Sequence, residues 1–213
     1  MNKKQKKEAE LILSRDYDHL QRFMSYYKQI DLIRQRKDIK SILEIGVGNK
    51  TVLNYLREHN YKVHSVDNNT LLKPTVVGDI RDIPRKDNSY DCVLAFEVIE
   101  HIPYSYVSKI LKELYRVSKK YVIISVPYSC IYFVPNVFCN VFKFDKDRNA
   151  NISLTLARDF QDFKFDGFHY WELGRKNYNV ENFERKVEKD FVIIQKEFND
   201  FNPYHLFYVL QKL

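Results

Sequence analysis

Between Ser41 and Val126 the sequence alternates short apolar strands with amphipathic helices, and few folds accommodate this alternation. SILEI at 41–45 and YDCVLAF at 90–96 are continuous apolar runs of the kind that is buried on both faces of a parallel sheet. The run at 51–59 has helical periodicity. The alternation predicts a doubly wound parallel sheet with right-handed crossovers.

Both ends of the chain depart from the alternation. The final segment contains two strand-like runs, DFVIIQKEF and HLFYVLQKL, joined through NDFNP. Because too few residues separate them for a helix, we expect an antiparallel hairpin. The predicted fold is therefore α/β and Rossmann-like, with a mostly parallel, doubly wound, seven-stranded sheet and an antiparallel C-terminal strand. We expect one domain over 1–213, consisting of a helical cap (1–38), a core (39–127), an aromatic-rich insertion after the fifth strand (128–170), and a helix with the hairpin (171–213).

The cap is predicted to contain a long helix over Asp16–Asp38 with two stripes at helical spacing. The largely apolar stripe consists of Leu20, Phe23, Tyr27, Ile30 and Ile33. The mostly polar stripe consists of Arg22, Tyr26 and Gln29. We expect the apolar stripe to pack on the sheet while the polar stripe faces solvent. In the alternative, the polar stripe and Tyr17 form a lid over cofactor and substrate, with Arg22 binding an anionic group.

The insertion is dense in aromatic side chains, which suit an enclosed and partly apolar substrate pocket. The candidate substrate-facing residues are Tyr132 within the insertion and Trp171 directly after it. A homodimer contact, a membrane-facing surface and a core for the insertion itself are alternative uses of the same surface.

Composition restricts the setting of the protein. The formal net charge is +7, which suits an anionic partner such as nucleic acid, but a lysine-rich solvated surface is the favoured explanation. The three cysteines have no paired spacing, and the first residues lack a signal-peptide pattern, so we expect a cytoplasmic protein. Residues 122–142 are uncharged, but prolines and asparagines interrupt them, which favours a core strand over a membrane span.

Ligands of open α/β sheets bind beyond the carboxyl ends of the strands, and that is where the polar residues of this sequence lie. Four such positions follow successive strands: Glu44 with Gly46 and Gly48, Asp67 with Asn68, Asp79, and the run EVIEHI at 97–102. A dinucleotide site would use the glycines and Asp67. It would, however, place the carboxylate of Glu44 beside a pyrophosphate and leave Asp79 without a role.

These residues, LEIGVG at 43–48, SVD ending at Asp67, VVGDI at 76–80 and SYDCVLAFEVIEHIP at 89–103, resemble the motifs of class I S-adenosylmethionine-dependent methyltransferases. The resemblance implies S-adenosylmethionine as cofactor, S-adenosylhomocysteine as product and a small or medium-sized acceptor. By the same resemblance, Glu44, Gly46 and Gly48 contact the methionine end of the cofactor, and the backbone of Phe96 and Glu97 contacts its amino group. Asp67 and Asn68 contact the ribose. Asp79 and the Ile80 amide contact the adenine. Thr51 replaces a further glycine of many members.

Two histidines are candidate general bases, His101 and His169, since imidazole titrates near neutrality. An alternative role involves a metal. Glu97, Glu100 and His101 form an E-x-x-E-H pattern that resembles metal-dependent O-methyltransferases, including small-RNA 2′-O-methyltransferases and enzymes of the ubiquinone pathway, and His169 would complete a Mg²⁺ or Mn²⁺ site. A metal-assisted methyltransferase for RNA or a quinone is therefore one alternative function. A non-catalytic scaffold that binds S-adenosylmethionine is another.

Overall fold

The computed structural model describes residues 3–133, 154–158 and 162–213. Its strands are β1 Ser41–Ile45, β2 Lys62–Asp67, β3 Val76–Val77, β4 Tyr90–Phe96, β5 Ser118–Pro127, β6 Cys130–Phe133, β7 Leu154–Arg158, β8 Phe191–Asn199 and β9 Asn202–Lys212. Its α-helices are α1 Lys3–Ile12, α2 Leu20–Arg34, α3 Thr51–Glu58, α4 Val107–Val117 and α5 Val180–Val187. Short 3₁₀ turns occupy Thr70–Leu72, Ile99–His101 and Tyr104–Tyr106.

Seven strands form one sheet in the order β3-β2-β1-β4-β5-β9-β8. Strands β1 to β5 pair in parallel, and β9 is antiparallel to both β5 and β8. The predicted fold class, including the antiparallel C-terminal strand, is therefore confirmed. A two-residue turn, Asp200–Phe201, joins β8 to β9. It is shorter than the predicted connection NDFNP (199–203), because both strands extend into that segment.

The sheet is buried on both faces, as its continuous apolar strands predict. Leu43 and Ile45 of β1 contribute to one hydrophobic cluster, in which α4 and α5 cover the sheet. Ile42 belongs to a second cluster, on the opposite face, together with α2 and α3. Successive strand residues point to opposite faces, so a single strand supplies both clusters.

Helix α2 presents only the C-terminal part of the predicted stripe to the core, where Ile33 is fully buried and Ile30 packs against the second cluster. Leu20, Phe23 and Tyr27 are exposed, with 70%, 52% and 61% of their surface accessible. Ser25 and Gln29 are buried instead. The expectation that the apolar stripe packs on the sheet was wrong for these three residues, because polar partners on the sheet side hold the other face inward, as described below.

Part of the insertion forms a small two-stranded antiparallel sheet of β6 and β7. Tyr132 lies in β6, whereas Phe138, Phe142, Phe144 and Phe160 fall outside the described residues. Within the described ranges, no helix combines the length and the hydrophobicity that crossing a membrane requires.

Trp171, a predicted substrate-facing residue, lies in the core. Its side chain has no exposed surface, and its indole N–H donates to the carbonyl of Ile102 at 3.0 Å. Its ring contacts Tyr104, Tyr178 and Phe183. A buried indole with a satisfied N–H is a packing element, so this expectation is corrected.

We predict that Trp171→Ala lowers the free energy of unfolding by about 3–5 kcal/mol, because it leaves a large cavity. The matched aromatic truncation Tyr27→Ala, on the exposed face of α2, should change it by no more than ~0.5 kcal/mol. Denaturant unfolding followed by circular dichroism measures both. Similar losses in the two variants would contradict the assignment of Trp171 to the core.

Candidate functional site

A cavity of about 240 Å³ lies at the carboxyl edge of the parallel strands, beneath α2. Its walls include every predicted cofactor-contacting residue: Glu44, Gly46, Gly48, Asp67, Asn68, Asp79, Ile80, Phe96 and Glu97. The carboxyl ends of parallel strands meet at one edge of a sheet, which explains why residues so far apart in sequence come together.

The turn after β1 requires glycine at one position in particular. Gly46 has φ +77°, and a Cβ added there would lie 2.4 Å from Cγ2 of Val98. Its N–H donates to the carbonyl of Val66 at 2.9 Å, which holds the turn against β2. Gly48 also has positive φ, +50°, but a Cβ there would meet no atom within 4 Å in the described structure.

Glu44 is a buried acid at the cavity wall. Its side-chain Oε2 has no hydrogen-bond partner among the described residues. Burial raises the pKa of Glu44 from 4.5 to about 8; the charge of Arg57 opposes this rise and the nearby carboxylate of Asp67 adds to it. The folded pKa exceeds the unfolded one, so the folded state retains its proton longer and the free energy of unfolding falls as pH rises across this interval. Glu44 therefore opposes stability at higher pH.

Asp67 ends β2 with both carboxylate oxygens engaged by backbone amides. Oδ2 accepts from Val47 N at 3.0 Å and Oδ1 from Asn69 N at 2.7 Å. Burial raises its pKa, and these amides oppose that rise. The neighbouring Asn68 also lines the cavity, with its carbonyl accepting from the Gln5 side chain of α1 at 3.0 Å. A carboxylate has room for further donors, so Asp67 can still accept from ligand hydroxyls.

Asp79 lies further along the same edge and is paired with Arg81. Its Oδ1 accepts from the backbone N and Nε of Arg81, both at 2.8 Å, and the ion pair lowers its pKa. The side chain of Ile80 is buried beside it. A ligand amine at Asp79 would have to share the carboxylate with this guanidinium.

The polar stripe of α2 forms part of the cavity wall. Tyr17, Arg22, Tyr26 and Gln29, the four residues of the alternative prediction, all line it. The Arg22 guanidinium lies 3.9 Å from the centre of the Tyr17 ring, and the Tyr26 hydroxyl donates to Asp18 at 2.9 Å. These contacts and the buried Ser25 turn this face of α2 toward the sheet.

His101 lies at the cavity wall, whereas His169 lies behind it. His101 Nδ1 lies 3.1 Å from the Phe168 carbonyl, which can only accept, so Nδ1 carries the proton and Nε2 is the basic nitrogen. The two rings meet edge to face at 5.0 Å. His169 Nδ1 lies 3.1 Å from Oε1 of Glu172 and 3.4 Å from the Tyr204 hydroxyl.

Glu100 is fully buried between the two histidines. Neither carboxylate oxygen has a hydrogen-bond partner among the described residues, and Oε1 lies 3.6 Å from His101 Nε2 and 4.0 Å from His169 Nε2. Burial, and next the charge of Glu97, raise its pKa well above the usual range. Ligand atoms of Glu100, His101 and His169 lie within 4.8 Å of one another. Glu97, expected in this group, is not part of it and lies instead beside His205.

Sequence reasoning missed His205 and Ser25, which also line the cavity. Ser25 Oγ lies 2.8 Å from His205 Nδ1, and His205 Nε2 lies 3.5 Å from Oε2 of Glu97. A signal was present: β9 runs antiparallel to β5, so the first residues of β9 lie at the carboxyl edge, where His205 pairs with Pro127.

Negative charge dominates the walls of this cavity. Its described lining contains five carboxylates, one guanidinium and no lysine: Glu8, Glu44, Asp67, Asp79 and Glu97, with Arg22. At least one of these acids, Glu44, is buried with an oxygen that lacks a partner among the described residues. Such a wall favours a ligand with positive charge over a ligand that carries phosphate.

Comparison with known proteins agrees with this geometry. Residues 43–125 match the family described as a methyltransferase domain. No curated protein sequence matches the chain. Among solved structures, the N-methyltransferase NodS from Bradyrhizobium japonicum WM9 in complex with S-adenosylhomocysteine has a TM-score of 0.63 at 8% identity, covering 99% of both chains.

Two further structures are similar over nearly the whole chain. Magnesium protoporphyrin IX methyltransferase (ChlM) from Synechocystis PCC 6803, with bound S-adenosylhomocysteine, has a TM-score of 0.61 at 10% identity, covering 100% of this chain and 96% of that one. A SAM-dependent methyltransferase from Archaeoglobus fulgidus has a TM-score of 0.62 at 16% identity, covering 90% and 94%.

We predict that Gly46→Ala destabilises the protein more than Gly48→Ala. Both variants place alanine at positive φ, which costs roughly 1 kcal/mol, but only Gly46→Ala adds the overlap with Val98, worth another ~1–3 kcal/mol. The double variant Gly46→Ala/Val98→Ala should lose less stability than the sum of the two single changes. Urea unfolding of the native protein and the four variants measures these losses, and equal losses in the two single glycine variants would refute the close contact.

Proposed function

We propose that this protein binds S-adenosylmethionine and transfers its methyl group to a small or medium-sized acceptor. The proposal starts from two findings: residues 43–125 match a methyltransferase domain, and the chain has the class I S-adenosylmethionine-dependent methyltransferase fold. The observation that carries the proposal is the acidic cavity at the carboxyl edge, with the buried, partly unpaired Glu44 at its wall. S-adenosylmethionine brings a sulfonium and an ammonium group, which compensate such acids.

The strand order supports one orientation of the cofactor along this edge. Asp79 and Asp67 follow the β3 and β2 segments, and they suit the adenine and the ribose. Glu44 and Glu97 belong to β1 and to the turn after β4, next in the sheet, and they suit the methionine end. In this arrangement the acceptor enters beyond Glu97, beneath α2 and beside His101. In this proposal the predicted cap (1–38) is the lid and the predicted core (39–127) holds the cofactor. The described parts of the predicted insertion (128–170), which are 128–133, 154–158 and 162–170, lie on the acceptor side, and 171–213 completes the sheet with its antiparallel hairpin.

When bound, the cofactor supplies an activated methyl group that is displaced in line by the acceptor atom. The protein contributes position and exclusion of water, which in well-oriented reactions lowers the barrier by up to ~7–11 kcal/mol. Helix α2 covers the cavity and brings Arg22 and Tyr26 to its wall, and Tyr17 of the preceding loop joins them there. The guanidinium of Arg22 suits an anionic group of the cofactor or the acceptor.

His101 is the better placed of the two candidate bases. It lines the cavity, and its Nε2 is the nitrogen that can receive a proton from an acceptor hydroxyl or ammonium. His169 lies behind it, oriented by Glu172 and Tyr204, and in this proposal it supports the His101 ring. Among structures with the same fold, the magnesium protoporphyrin IX methyltransferase is a precedent for a small-molecule acceptor.

A metal-assisted methyltransferase is the second candidate, and Glu100 is the observation that favours it. A fully buried carboxylate with two unpaired oxygens is costly unless a cation or a proton compensates it. Two imidazoles flank it at distances that allow all three groups to reach one ion. The donor set fits Mn²⁺ or Mg²⁺, with Glu100, His101 and His169 as the residues that would hold it.

We predict that S-adenosylmethionine and S-adenosylhomocysteine bind with release of close to one proton per ligand at about pH 7. Glu44, with its pKa at about 8, is mostly protonated in the free protein at that pH, and the ammonium group that both ligands carry lowers this pKa. At about pH 9.5 Glu44 is already ionised, so the release should disappear. Calorimetric titration in buffers of different ionisation enthalpy measures the protons released.

Glu44→Gln tests this prediction, and Glu58→Gln, which changes an exposed glutamate of α3, is the matched control. Glu44→Gln should abolish the proton release and weaken binding roughly 10- to 100-fold, whereas Glu58→Gln should leave both unchanged. If the native protein binds neither S-adenosylmethionine nor S-adenosylhomocysteine, both the enzyme proposal and the scaffold alternative are wrong. Binding without methyl transfer to any acceptor in a broad panel would favour the scaffold.

For the second candidate, Mn²⁺ titrated into EDTA-treated protein should bind at a single site. Glu100→Gln and His169→Asn should each weaken this binding at least ~10-fold, as expected for loss of a ligand. Glu181→Gln, an exposed glutamate of α5, is the control. No binding, together with methyl transfer that is insensitive to EDTA, would exclude the metal-assisted mechanism.

A further inference from the structure

A tight turn at 166–169 lies against the rim of the cavity. The carboxylate of Asp166 accepts from the N–H groups of Phe168 at 2.8 Å and His169 at 2.7 Å, which fixes the conformation of the turn. The carbonyl of Phe168 accepts in its turn from Nδ1 of His101, the candidate base, at 3.1 Å. Phe168 is therefore held next to the place where the acceptor atom lies in the proposed function.

The turn and its neighbours leave aromatic side chains in contact with solvent. Phe165 and Phe168 have 51% and 45% of their surface accessible, and the Phe165 ring lies 4.5 Å from the ring of Tyr170 at an angle of 31°. The N–H of Tyr170 donates to the carbonyl of Glu100 at 2.8 Å, which ties this pair of rings to the same rim. We call Phe165, Phe168 and Tyr170 the aromatic platform.

Packing within the protein does not account for the exposure of the platform. Trp171, directly after Tyr170, has no exposed surface, so the same segment buries an aromatic ring where the core receives it. Single exposed apolar side chains are ordinary on a protein surface. Rings that cluster beside a ligand cavity are different, because burial of such rings is strongly favourable, and they indicate a surface that a ligand covers.

The aromatic platform is open to the acceptor when the cofactor is bound. None of its three residues belongs to the described lining of the cofactor cavity, whereas His101, which contacts Phe168, does. In the proposed function the cofactor lies along β1, β2 and β4, and the acceptor atom lies at Nε2 of His101. The remaining atoms of the acceptor extend from His101 away from the cofactor, and the platform, which adjoins His101, offers them apolar surface.

The charges around the platform favour an uncharged ring. Asp166 lies in the turn itself, and the exposed side chains of Asp162 and Lys164 offset each other. Glu172 is buried, and Nε of Arg175 lies 4.0 Å from its Oε2, so these two charges offset each other as well. The faces of aromatic rings carry partial negative charge, so an anionic ring would be repelled both by the platform and by Asp166.

We infer that the aromatic platform binds the methyl acceptor, and that the acceptor carries an uncharged aromatic ring. Phe168 and Phe165 contact this ring, and Tyr170 positions Phe165 through the contact between their rings. The inference rests on the proposed function, since it names the chemical class of the acceptor at the same site.

The test uses three probes that differ in aromaticity and charge: 2-naphthol, its saturated analogue decahydro-2-naphthol, and the anionic 6-hydroxynaphthalene-2-sulfonate. Ligand-observed NMR titration into the protein loaded with S-adenosylhomocysteine measures the three dissociation constants. 2-Naphthol should bind roughly 3- to 10-fold more tightly than the saturated alcohol, because contacts between aromatic rings contribute beyond the area they bury. It should also bind more tightly than the sulfonate, which the platform repels.

Phe168→Leu keeps an apolar side chain but removes the aromatic face. It should weaken 2-naphthol roughly 3- to 10-fold and leave decahydro-2-naphthol unchanged, so that the preference for the aromatic probe disappears. Phe165→Leu should act in the same direction. Phe23→Leu is the matched control and should change neither affinity, because it alters an exposed phenylalanine of α2 outside the described cavity lining.

No binding of 2-naphthol, or equal binding of 2-naphthol and either of the other probes, would overturn the inference. A loss in Phe23→Leu as large as that in Phe168→Leu would overturn it too. The affinity for S-adenosylhomocysteine is measured first, and it should be the same in all variants. A native protein that binds S-adenosylhomocysteine but does not distinguish the probes contradicts the aromatic acceptor alone, whereas one that does not bind S-adenosylhomocysteine contradicts the proposed function and the inference with it.

Discussion

The carboxyl ends of β1, β2 and β4 meet at one edge of the sheet, and the chemistry of this protein depends on that convergence. It brings Glu44, Asp67 and Glu97 to one cavity from positions spread over more than fifty residues of sequence. The turn at Gly46 packs against Val98 so closely that only hydrogen fits as its side chain. The backbone thereby forms the floor of the cavity, and acids form much of its wall.

Buried acids make the site a compromise between stability and binding. Glu44 retains a proton to about pH 8 because the interior disfavours its charge, and burial and the neighbouring Glu97 raise the pKa of Glu100 well above its usual range. A ligand or metal with positive charge reverses that preference, so binding and proton release are coupled. An acidic wall of this kind distinguishes a sulfonium nucleoside from a dinucleotide, whose pyrophosphate it would repel.

The N-terminal helix shows how tertiary contacts override an amphipathic pattern. Leu20, Phe23 and Tyr27 have core-like spacing but are exposed, while Ser25 on the opposite face is buried against His205. Propensity and periodicity describe one helix by itself, whereas the side that is buried depends on what the sheet offers. Here the sheet edge offers hydrogen-bonding partners.

Local sequence determined the terminal hairpin and the glycine turn, because each depends on neighbours within a few residues. It also indicated the parallel core, because strands that alternate with helices need crossover connections. It also placed Asp67 and Asp79 at strand ends. Only the tertiary structure separated Glu97 from Glu100, placed Trp171 in the core and brought His205 to the cavity. The position of Glu97 depends on its strained φ, that of His205 on the antiparallel direction of β9, and that of Trp171 on its packing against Tyr104 and Phe183; long-range packing decides all three.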